Sequence, residues 1–202
     1  MEIPKEVKYL VGIDEAGRGA LAGPVAVGMF VWSLEMGELL RAVPGYPVGC
    51  DSKKLTPRKR ERWFAFLIDL AKRTGAICQV SFVGESYIDR AGIVPAVTKG
   101  IEACLDKLPG EPTEYFLKLD GSLKAPEKFI YQNTIIKGDE KEPIISFASI
   151  LAKVSRDKKM IKMADNFADY GLEKHKGYGT KEHFAKVAEK GLSPCHRRSY
   201  FA

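Results

Sequence analysis

The chain has 202 residues, of which 45% are hydrophobic and 29% are charged, as is typical of one globular domain with a substantial core. Its longest apolar stretch, residues 21–32, contains a Gly-Pro pair and is too short for a membrane span, which takes roughly 20 residues. The net charge of +6 arises in the last quarter, because residues 1–152 contain 20 basic and 20 acidic side chains whereas residues 153–202 contain 12 and 6. This excess favours a polyanionic partner, although on charge alone an ordinary solvated surface is the simpler interpretation.

The hydrophobic pattern predicts strands and helices that alternate along the chain. In chain order we expect strands at 7–13 and 25–32, a helix at 57–74, a strand at 76–83, a helix at 93–108, strands at 115–119 and 129–136, and helices at 144–167 and 180–190. Thr56 and Pro57 form a strong helix start, and Gly75 and Gly191 end helices. This order predicts an α/β protein with a mixed sheet and a helical C-terminal appendage.

The four cysteines, at positions 50, 78, 104 and 195, form neither a Cys-x-x-Cys pair nor a Cys/His cluster. Free thiols in a reducing compartment are the simpler interpretation. The first residues also lack the basic and apolar regions of a secretion signal. We therefore expect a cytoplasmic protein without a zinc site or a disulfide framework.

Carboxylates stand where two predicted strands end. Asp14 and Glu15 follow the first strand side by side, and Asp120 follows the strand at 115–119. Strand ends in α/β sheets bind ligands, and clustered carboxylates repel one another unless a cation is present. Adjacent strand residues point to opposite faces, so Asp14 and Glu15 can share a site only if the strand ends or bulges there. Such hard oxygen ligands favour Mg²⁺ or Mn²⁺, although Asp120 before Gly121 is by itself more simply a turn residue.

A polar stripe lies along the helix predicted at 144–167. Ser146, Ser149, Lys153 and Asp157 recur at spacings of three and four residues, which places them on one face. This face fits either an extension of the carboxylate site or an ordinary solvated surface with a weak ion pair. Periodicity alone does not separate the two interpretations.

Gly17, Gly19 and Ala22 support a second hypothesis, because Gly-x-Gly-x-x-Ala after a strand is a dinucleotide-binding pattern of oxidoreductases. That pattern should open a helix, but Gly23-Pro24 and a β-rich run follow it. The acidic residue expected at the end of the next strand is also absent near Ser33. A dinucleotide cofactor is therefore the weaker hypothesis.

Considered jointly, six motifs resemble those of ribonuclease HII, a type 2 ribonuclease H family. Their order and their spread over almost the whole chain make the combination specific, although each motif is modest alone. The motifs are Gly12-Ile13-Asp14-Glu15-Ala16-Gly17-Arg18-Gly19, Gly23-Pro24-Val25, Asp51-Ser52-Lys53-Lys54-Leu55, Asp120-Gly121, Ala152-Lys153-Val154-Ser155-Arg156-Asp157 and Lys176-Gly177-Tyr178-Gly179-Thr180.

The resemblance implies a ribonuclease H-like fold, with a five-stranded mixed sheet flanked by helices. It implies a catalytic domain at 1–170 and a helical substrate-binding appendage at 171–202. The implied activity is endonucleolytic hydrolysis of the RNA strand of RNA–DNA hybrids and cleavage 5′ of single ribonucleotides in duplex DNA, which leaves 5′-phosphate and 3′-hydroxyl ends. These nucleic acids are the expected partners, and we expect a monomer that does not bind a membrane.

The resemblance also implies roles for individual residues. The ligands of two Mg²⁺ or Mn²⁺ ions would be Asp14, Glu15, Asp120 and Asp157, and the substrate-binding residues would be Gly17, Arg18, Gly19, Lys53, Lys54, Lys153 and Tyr178. In this scheme the Gly17–Gly19 backbone lies at the ribose, Tyr178 binds the 2′-hydroxyl, and the lysines contact phosphates. A third hypothesis, a non-catalytic nucleic-acid-binding module, accounts for the basic surface. It leaves unexplained why four carboxylates should face a polyanion without a metal ion.

Overall fold

A mixed sheet forms the centre of the structure, a computed structural model that describes residues 3–38, 43 and 55–201. Its five strands are β1 (Tyr9–Ala16), β2 (Val25–Ser33), β3 (Ile77–Val83), β4 (Tyr115–Asp120) and β5 (Gln132–Ile135). The spatial order is β3-β2-β1-β4-β5. The pairs β3–β2 and β2–β1 are antiparallel, whereas β1–β4 and β4–β5 are parallel. The predicted five-stranded mixed sheet is confirmed.

Helices cover both faces of this sheet. In the described ranges they are α1 (Pro57–Thr74), α2 (Glu85–Ala91), α3 (Ile93–Leu105), α4 (Gly138–Lys141), α5 (Pro143–Ala164), α6 (Leu172–His175) and α7 (Lys181–Lys190). The four predicted helices are present. The helix predicted at 57–74 has the same bounds in the structure, and the other three have shifted ends. α1 begins as expected, because the Thr56 hydroxyl accepts a hydrogen bond from the Lys59 N–H at 3.3 Å. The sequence pattern missed α2, α4 and α6. Each has seven residues or fewer, which is too short for a helical period to show.

Two hydrophobic layers hold the helices on the sheet. On one face, α3 contributes Val97 and Ile101 to a cluster with strand residues such as Val27. On the other face, Leu67 of α1 and Phe147 of α5 pack in a second cluster. The sheet is therefore covered on both sides, and burial of these side chains supplies the main driving force for folding.

Close contact between α5 and the sheet depends on Gly28. A Cβ atom at this position would lie 2.2 Å from the Ala148 carbonyl oxygen, so only glycine lets the helix approach so closely. Ser146 and Ser149, which are part of α5, are consequently buried, with 1% and 4% of their surface exposed. The solvated-surface interpretation of the polar stripe is wrong for these two serines.

The C-terminal segment packs back on the loop that follows β1. Ala22 forms an isolated β-bridge with His196, and the Gly23 N–H donates to the Cys195 carbonyl at 2.8 Å. The Arg197 N–H donates to the Leu21 carbonyl at 2.8 Å. Within the described ranges, no helix combines the length and apolar character that crossing a membrane requires.

Candidate active site

The edge between β1 and β4 brings two carboxylates to adjacent strand ends. Parallel pairing of these strands stops at Ile13 and Leu119, so Asp14 and Asp120 come next on neighbouring strands. β1 itself continues to Ala16, and Glu15 still pairs with Val27 of β2. The expected end or bulge of β1 at Asp14 is therefore wrong. The sheet instead opens on the β4 side, where pairing stops before Asp14, and at this opening Asp14 and Glu15 can share a site.

A cavity of about 290 Å³ lies at this opening. It brings together eight of the residues predicted from the sequence, along with Ala16 and Ser149. The lining residues are Asp14, Glu15, Ala16, Gly17, Arg18, Gly19, Asp120, Ser149, Lys153 and Tyr178. Asp157 is not among them, and Lys53 and Lys54 lie outside the described residues.

Asp14 is the most perturbed carboxylate of the cavity. Its surface is only 2% exposed, and burial raises its pKa well above the usual range, with a further increase from the negative charge of Glu15 and a smaller one from Asp120. Hydrogen bonds from Ser149 and from the Glu15 N–H, the latter to Oδ1 at 2.7 Å, oppose this rise. Oδ2 is buried and has no hydrogen-bond partner within the described part of the chain. The anionic carboxylate therefore lacks compensation on one of its two oxygens.

The other two carboxylates of the cavity each have one defined partner. Glu15 Oε1 lies 3.3 Å from Arg18 Nη1, in a partly exposed ion pair. The Gly138 N–H, at the start of α4, donates to Asp120 Oδ1 at 2.6 Å. These contacts orient the two side chains and leave oxygen atoms of both available to a ligand of the cavity.

Asp157 lies one helical turn after Lys153 on α5. Lys153 Nζ is 2.8 Å from Asp157 Oδ1, and Arg60 Nη1 is 3.9 Å from Oδ2. Arg60 is itself held in place by a hydrogen bond from Nη2 to the Leu55 carbonyl at 2.9 Å. The Lys153–Asp157 pair predicted from the sequence is confirmed, and it connects Asp157 to the cavity through a cavity-lining lysine.

A buried arginine, Arg156, supports the glycine-rich loop at residues 17–24, which joins β1 to β2. Arg156 is fully buried and donates to the carbonyls of Ala22, Pro24 and Lys176 at 3.1, 2.9 and 2.9 Å. Burial lowers the pKa of its guanidinium to about 10, which leaves it charged at neutral pH. Gly17, at φ +90°, lies directly against it, since a Cβ atom there would be 1.9 Å from Arg156 Nε. Alanine at position 17 would therefore collide with the support of the loop.

A second buried arginine, Arg197, fixes the same loop from the C-terminal segment. Its Nε donates to the Gly23 carbonyl and its Nη1 to the Arg18 carbonyl, both at 2.9 Å. The Tyr200 hydroxyl donates to the same Arg18 carbonyl at 3.0 Å. The backbone of the Gly17–Gly19 segment is thus held in one orientation by side chains distant in sequence.

Tyr178 contributes an aromatic wall to the cavity. Lys153 Nζ lies 5.3 Å and Arg156 Cζ 5.2 Å from the centre of its ring, within the range of cation–π interactions. Both cations come from α5. The ring therefore faces the same helix that carries Asp157.

Sequence reasoning missed the roles of Ser149, Arg156 and the three histidines. Ser149 was predicted only as part of a polar stripe, and Arg156 sits inside a motif that carried other predictions. His175, His183 and His196 converge in a buried cluster away from the carboxylates, which no spacing rule indicates. The one usable signal for Ser149 was its helical spacing from Lys153 and Asp157.

The carboxylates suit a hard divalent cation in their chemistry. Asp14 presents an unpartnered buried oxygen, and the repulsion among Asp14, Glu15 and Asp120 would be relieved by a positive charge. Within the described ranges, however, no three His, Cys, Asp or Glu side chains form a preassembled metal site. The residues therefore fit the ion by ligand type and charge, and binding would draw the carboxylates together.

Comparisons with known proteins show which sequences and structures this chain resembles. The sequence model of the Ribonuclease HII family matches residues 11–202. A ribonuclease HII of Endomicrobium trichonymphae is 38% identical over 191 residues, which is 95% of this chain and 84% of that protein. The crystal structure of ribonuclease H2 from Pyrococcus horikoshii OT3 superposes with a TM-score of 0.71 at 27% identity and covers 95% of this chain and 93% of its own. The ribonuclease HII in a PCNA complex from Archaeoglobus fulgidus gives a TM-score of 0.72 at 24% identity, with 93% of each chain covered.

The mixed sheet and its flanking helices define the ribonuclease H-like fold. The chain belongs to the ribonuclease HII family. It is a hydrolase of the nuclease class, and the family comprises divalent-metal-dependent endonucleases that degrade the RNA of RNA–DNA hybrids. The oxidoreductase and the non-catalytic binding module are accordingly set aside.

Proposed function

We propose that this chain cleaves RNA–DNA hybrids and also cuts 5′ of a single ribonucleotide in duplex DNA, leaving 5′-phosphate and 3′-hydroxyl ends. The observation that carries the proposal is the cavity in which Asp14, Glu15 and Asp120 lie together with Gly17, Arg18, Gly19 and Tyr178. Carboxylates for a metal-assisted reaction and groups suited to a ribose therefore border one space. We also propose, from the resemblance in sequence alone, that the protein acts as a monomer.

In this proposal Asp14, Glu15, Asp120 and Asp157 hold two Mg²⁺ or Mn²⁺ ions. When bound, such ions activate water for in-line attack on phosphorus and stabilise the leaving oxygen. The protein supplies the negative charge that retains them, with the buried Asp14 on β1 and the strand-end Asp120 on β4 as fixed positions. Lys153, which pairs with Asp157, also reaches the cavity and would contact a phosphate.

Recognition of the ribonucleotide is assigned to the glycine-rich loop and Tyr178. The Gly17–Gly19 backbone lies against Arg156 and is bound by Arg197 at the Arg18 carbonyl. Its two glycines carry no side chain that would obstruct their peptide groups. The Tyr178 hydroxyl forms no side-chain hydrogen bond within the described residues and would donate to or accept from the 2′-hydroxyl, the group that distinguishes RNA from DNA. Lys53 and Lys54 remain phosphate-contact predictions from the sequence motif.

The decisive experiment uses a DNA duplex with one embedded ribonucleotide, incubated with Mg²⁺ or Mn²⁺ and then with chelator, and maps the cut at nucleotide resolution. We expect a single cut 5′ of the ribonucleotide that disappears on chelation. Asp14→Asn should lower the rate by more than about 100-fold, because even partners outside the metal's ligand set typically cost 10–100-fold when mutated. The variant should nonetheless melt at the same temperature or higher, because it removes a destabilised buried charge.

Asp106→Asn is the matched control, since Asp106 is an exposed aspartate paired with Lys128 at 3.6 Å. We expect its cleavage rate to stay within twofold of the unaltered protein. Undiminished turnover in Asp14→Asn would contradict the metal-site assignment. Cleavage of continuous hybrid without any cut at the single ribonucleotide would restrict the protein to the activity general to its family.

A further inference from the structure

The three histidines of the chain converge behind the Tyr178 turn. His183 Nε2 and His196 Nε2 are 3.0 Å apart, and the rings of His175 and His183 stack with centroids 4.3 Å apart. All three are buried, with exposures of 9%, 0% and 1% for His175, His183 and His196. They come from α6, α7 and the C-terminal segment, so the cluster joins three separate elements.

Hydrogen-bond partners at one end of the cluster define the proton positions. His183 Nδ1 lies 3.0 Å from the Tyr178 carbonyl oxygen, which can only accept, so Nδ1 carries the proton. In the neutral ring, His183 Nε2 is then an acceptor. The contact between the two Nε2 atoms is therefore a hydrogen bond only if His196 Nε2 carries the proton and donates it.

The other end of the cluster leads independently to the same result. The Ser193 N–H lies 3.0 Å from His196 Nδ1 and can only donate, so Nδ1 is the unprotonated nitrogen of that ring. In its neutral form His196 thus carries its proton on Nε2, as the Tyr178 end requires. Hydrogen bonds run in one direction, from Ser193 through His196 and His183 to the Tyr178 carbonyl. We refer to these four residues as the histidine relay.

His175 fixes the other side of the same turn. Its Nε2 lies 2.7 Å from the Tyr170 carbonyl and therefore carries the proton, which leaves Nδ1 to accept the Gly177 N–H at 3.2 Å. The His175 carbonyl accepts the Tyr178 N–H at 3.0 Å. The backbone N–H and the carbonyl of Tyr178 are each bound by a histidine residue.

The surroundings of the relay favour uncharged rings. The rings in contact with His196 are those of Tyr170, His183 and Phe201, and the positive charge of nearby Arg198 disfavours a charged His196 ring. Burial, followed by His183, lowers the pKa of His196 to about 4, and burial also lowers that of His183. A second proton on either ring would place two donors face to face.

We propose that His183 and His196 are positioning residues, whose neutral relay holds the Tyr178 turn against the C-terminal segment that also supports the Gly17–Gly19 loop. The inference rests on the proposed role of Tyr178 at the ribonucleotide. The relay would therefore set the distance between the Tyr178 turn and the Gly17–Gly19 loop, which border the same cavity. Cleavage at a lone ribonucleotide should depend on it more than cleavage of continuous hybrid, where more of the substrate is held along its length.

The first test does not depend on activity. Long-range ¹H–¹⁵N NMR spectra of the unaltered protein at neutral pH should show His183 protonated on Nδ1 and His196 protonated on Nε2. Both rings should remain neutral when the pH is lowered to about 5.5, where an ordinary histidine with a pKa near 6.5 is mostly charged. A proton on His183 Nε2, or a charged ring in either residue at neutral pH, would overturn the relay.

The second test compares two substitutions of His183 on both substrates. Asparagine places an amide N–H near the position of Nδ1 and preserves the bond to the Tyr178 carbonyl, whereas leucine cannot donate. We expect His183→Leu to reduce single-ribonucleotide cleavage by about three- to tenfold, which corresponds to the lost bond to the Tyr178 carbonyl, and to reduce hybrid cleavage by less. His183→Asn should stay within about threefold on both substrates.

Ala185→Leu is the control, because it adds the same side chain at an exposed position of α7 and should change neither rate. Circular dichroism identifies any variant that fails to fold, in which case the NMR assignment decides the question. If Tyr178→Ala shifts the ratio of the two rates but His183→Leu does not, the relay has no positioning role. If neither variant shifts the ratio while the tautomers are as expected, the recognition role of Tyr178 fails and the positioning proposal fails with it.

Discussion

Replacing Arg156 by lysine tests whether a buried guanidinium holds the glycine-rich loop in place. Its three donor nitrogens reach three carbonyls, those of Ala22, Pro24 and Lys176, and the residue is fully buried. Lysine keeps the charge but carries its donors on a single nitrogen, so we expect it to keep one of these bonds. Two buried carbonyls would then lose their partner.

The magnitude follows from these two lost bonds. An unsatisfied buried polar group costs about 1–3 kcal/mol, so Arg156→Lys should lower the free energy of unfolding by about 2–6 kcal/mol. For a chain of this length 1 kcal/mol corresponds to about 2–4 °C, which places the expected fall in melting temperature between about 4 and 24 °C. The loss is a large share of a typical total stability of roughly 5–15 kcal/mol.

Thermal unfolding by circular dichroism measures the loss of stability. Cleavage of the single-ribonucleotide duplex well below the melting temperature measures how far the weaker support of the loop lowers activity. Arg73→Lys is the matched control, because Arg73 forms an exposed pair with Asp69 at 2.8 Å. Such a surface pair contributes little, so the control should melt within about 2 °C of the unaltered protein. If Arg156→Lys melts with the control and cleaves normally, the three hydrogen bonds do not support the loop as argued.

Three further predictions follow from the same contacts. Tyr178→Phe should lower single-ribonucleotide cleavage a few-fold to about tenfold and Tyr178→Ala more, with smaller losses on continuous hybrid; equal losses on both substrates would show that the residue does not recognise the ribonucleotide. Asp157→Asn should retain more activity than Asp14→Asn in rate measurements across metal concentrations, because Asp157 lies outside the cavity lining and is already paired with Lys153, so that water could replace it as a ligand; activity equal to that of the unaltered protein at every metal concentration would remove Asp157 from the metal site. Because the pKa of His196 falls from 6.5 to about 4 on folding, the unfolded chain binds more protons between these values, so the free energy of unfolding should decrease as the pH drops from about 6.5 to about 4. Urea titrations in the Asp14→Asn background measure this without the opposing titration of Asp14, and stability that is flat or rising toward pH 4 would contradict the argument.

Local signals in the sequence determined where the principal elements begin and end. Thr56, Pro57 and Gly75 delimit α1 because capping and left-handed geometry are properties of a few neighbouring residues. Hydrophobic runs likewise predicted all five strands, and the acidic residues after two of them marked the edge where the cavity lies. The order of the short motifs was sufficient to indicate the family, since it reflects the whole chain and needs no contact information.

Only the tertiary structure decided how these elements meet. Ser149 is buried because α5 crosses β2 at Gly28, and a helical period cannot say which face meets the sheet. Arg156 reaches carbonyls more than 130 residues earlier in the chain. The relay joins His183 and His196 through the packing of α7 against the C-terminal segment. Such contacts depend on the sum of many long-range packing interactions, which no window of local sequence contains.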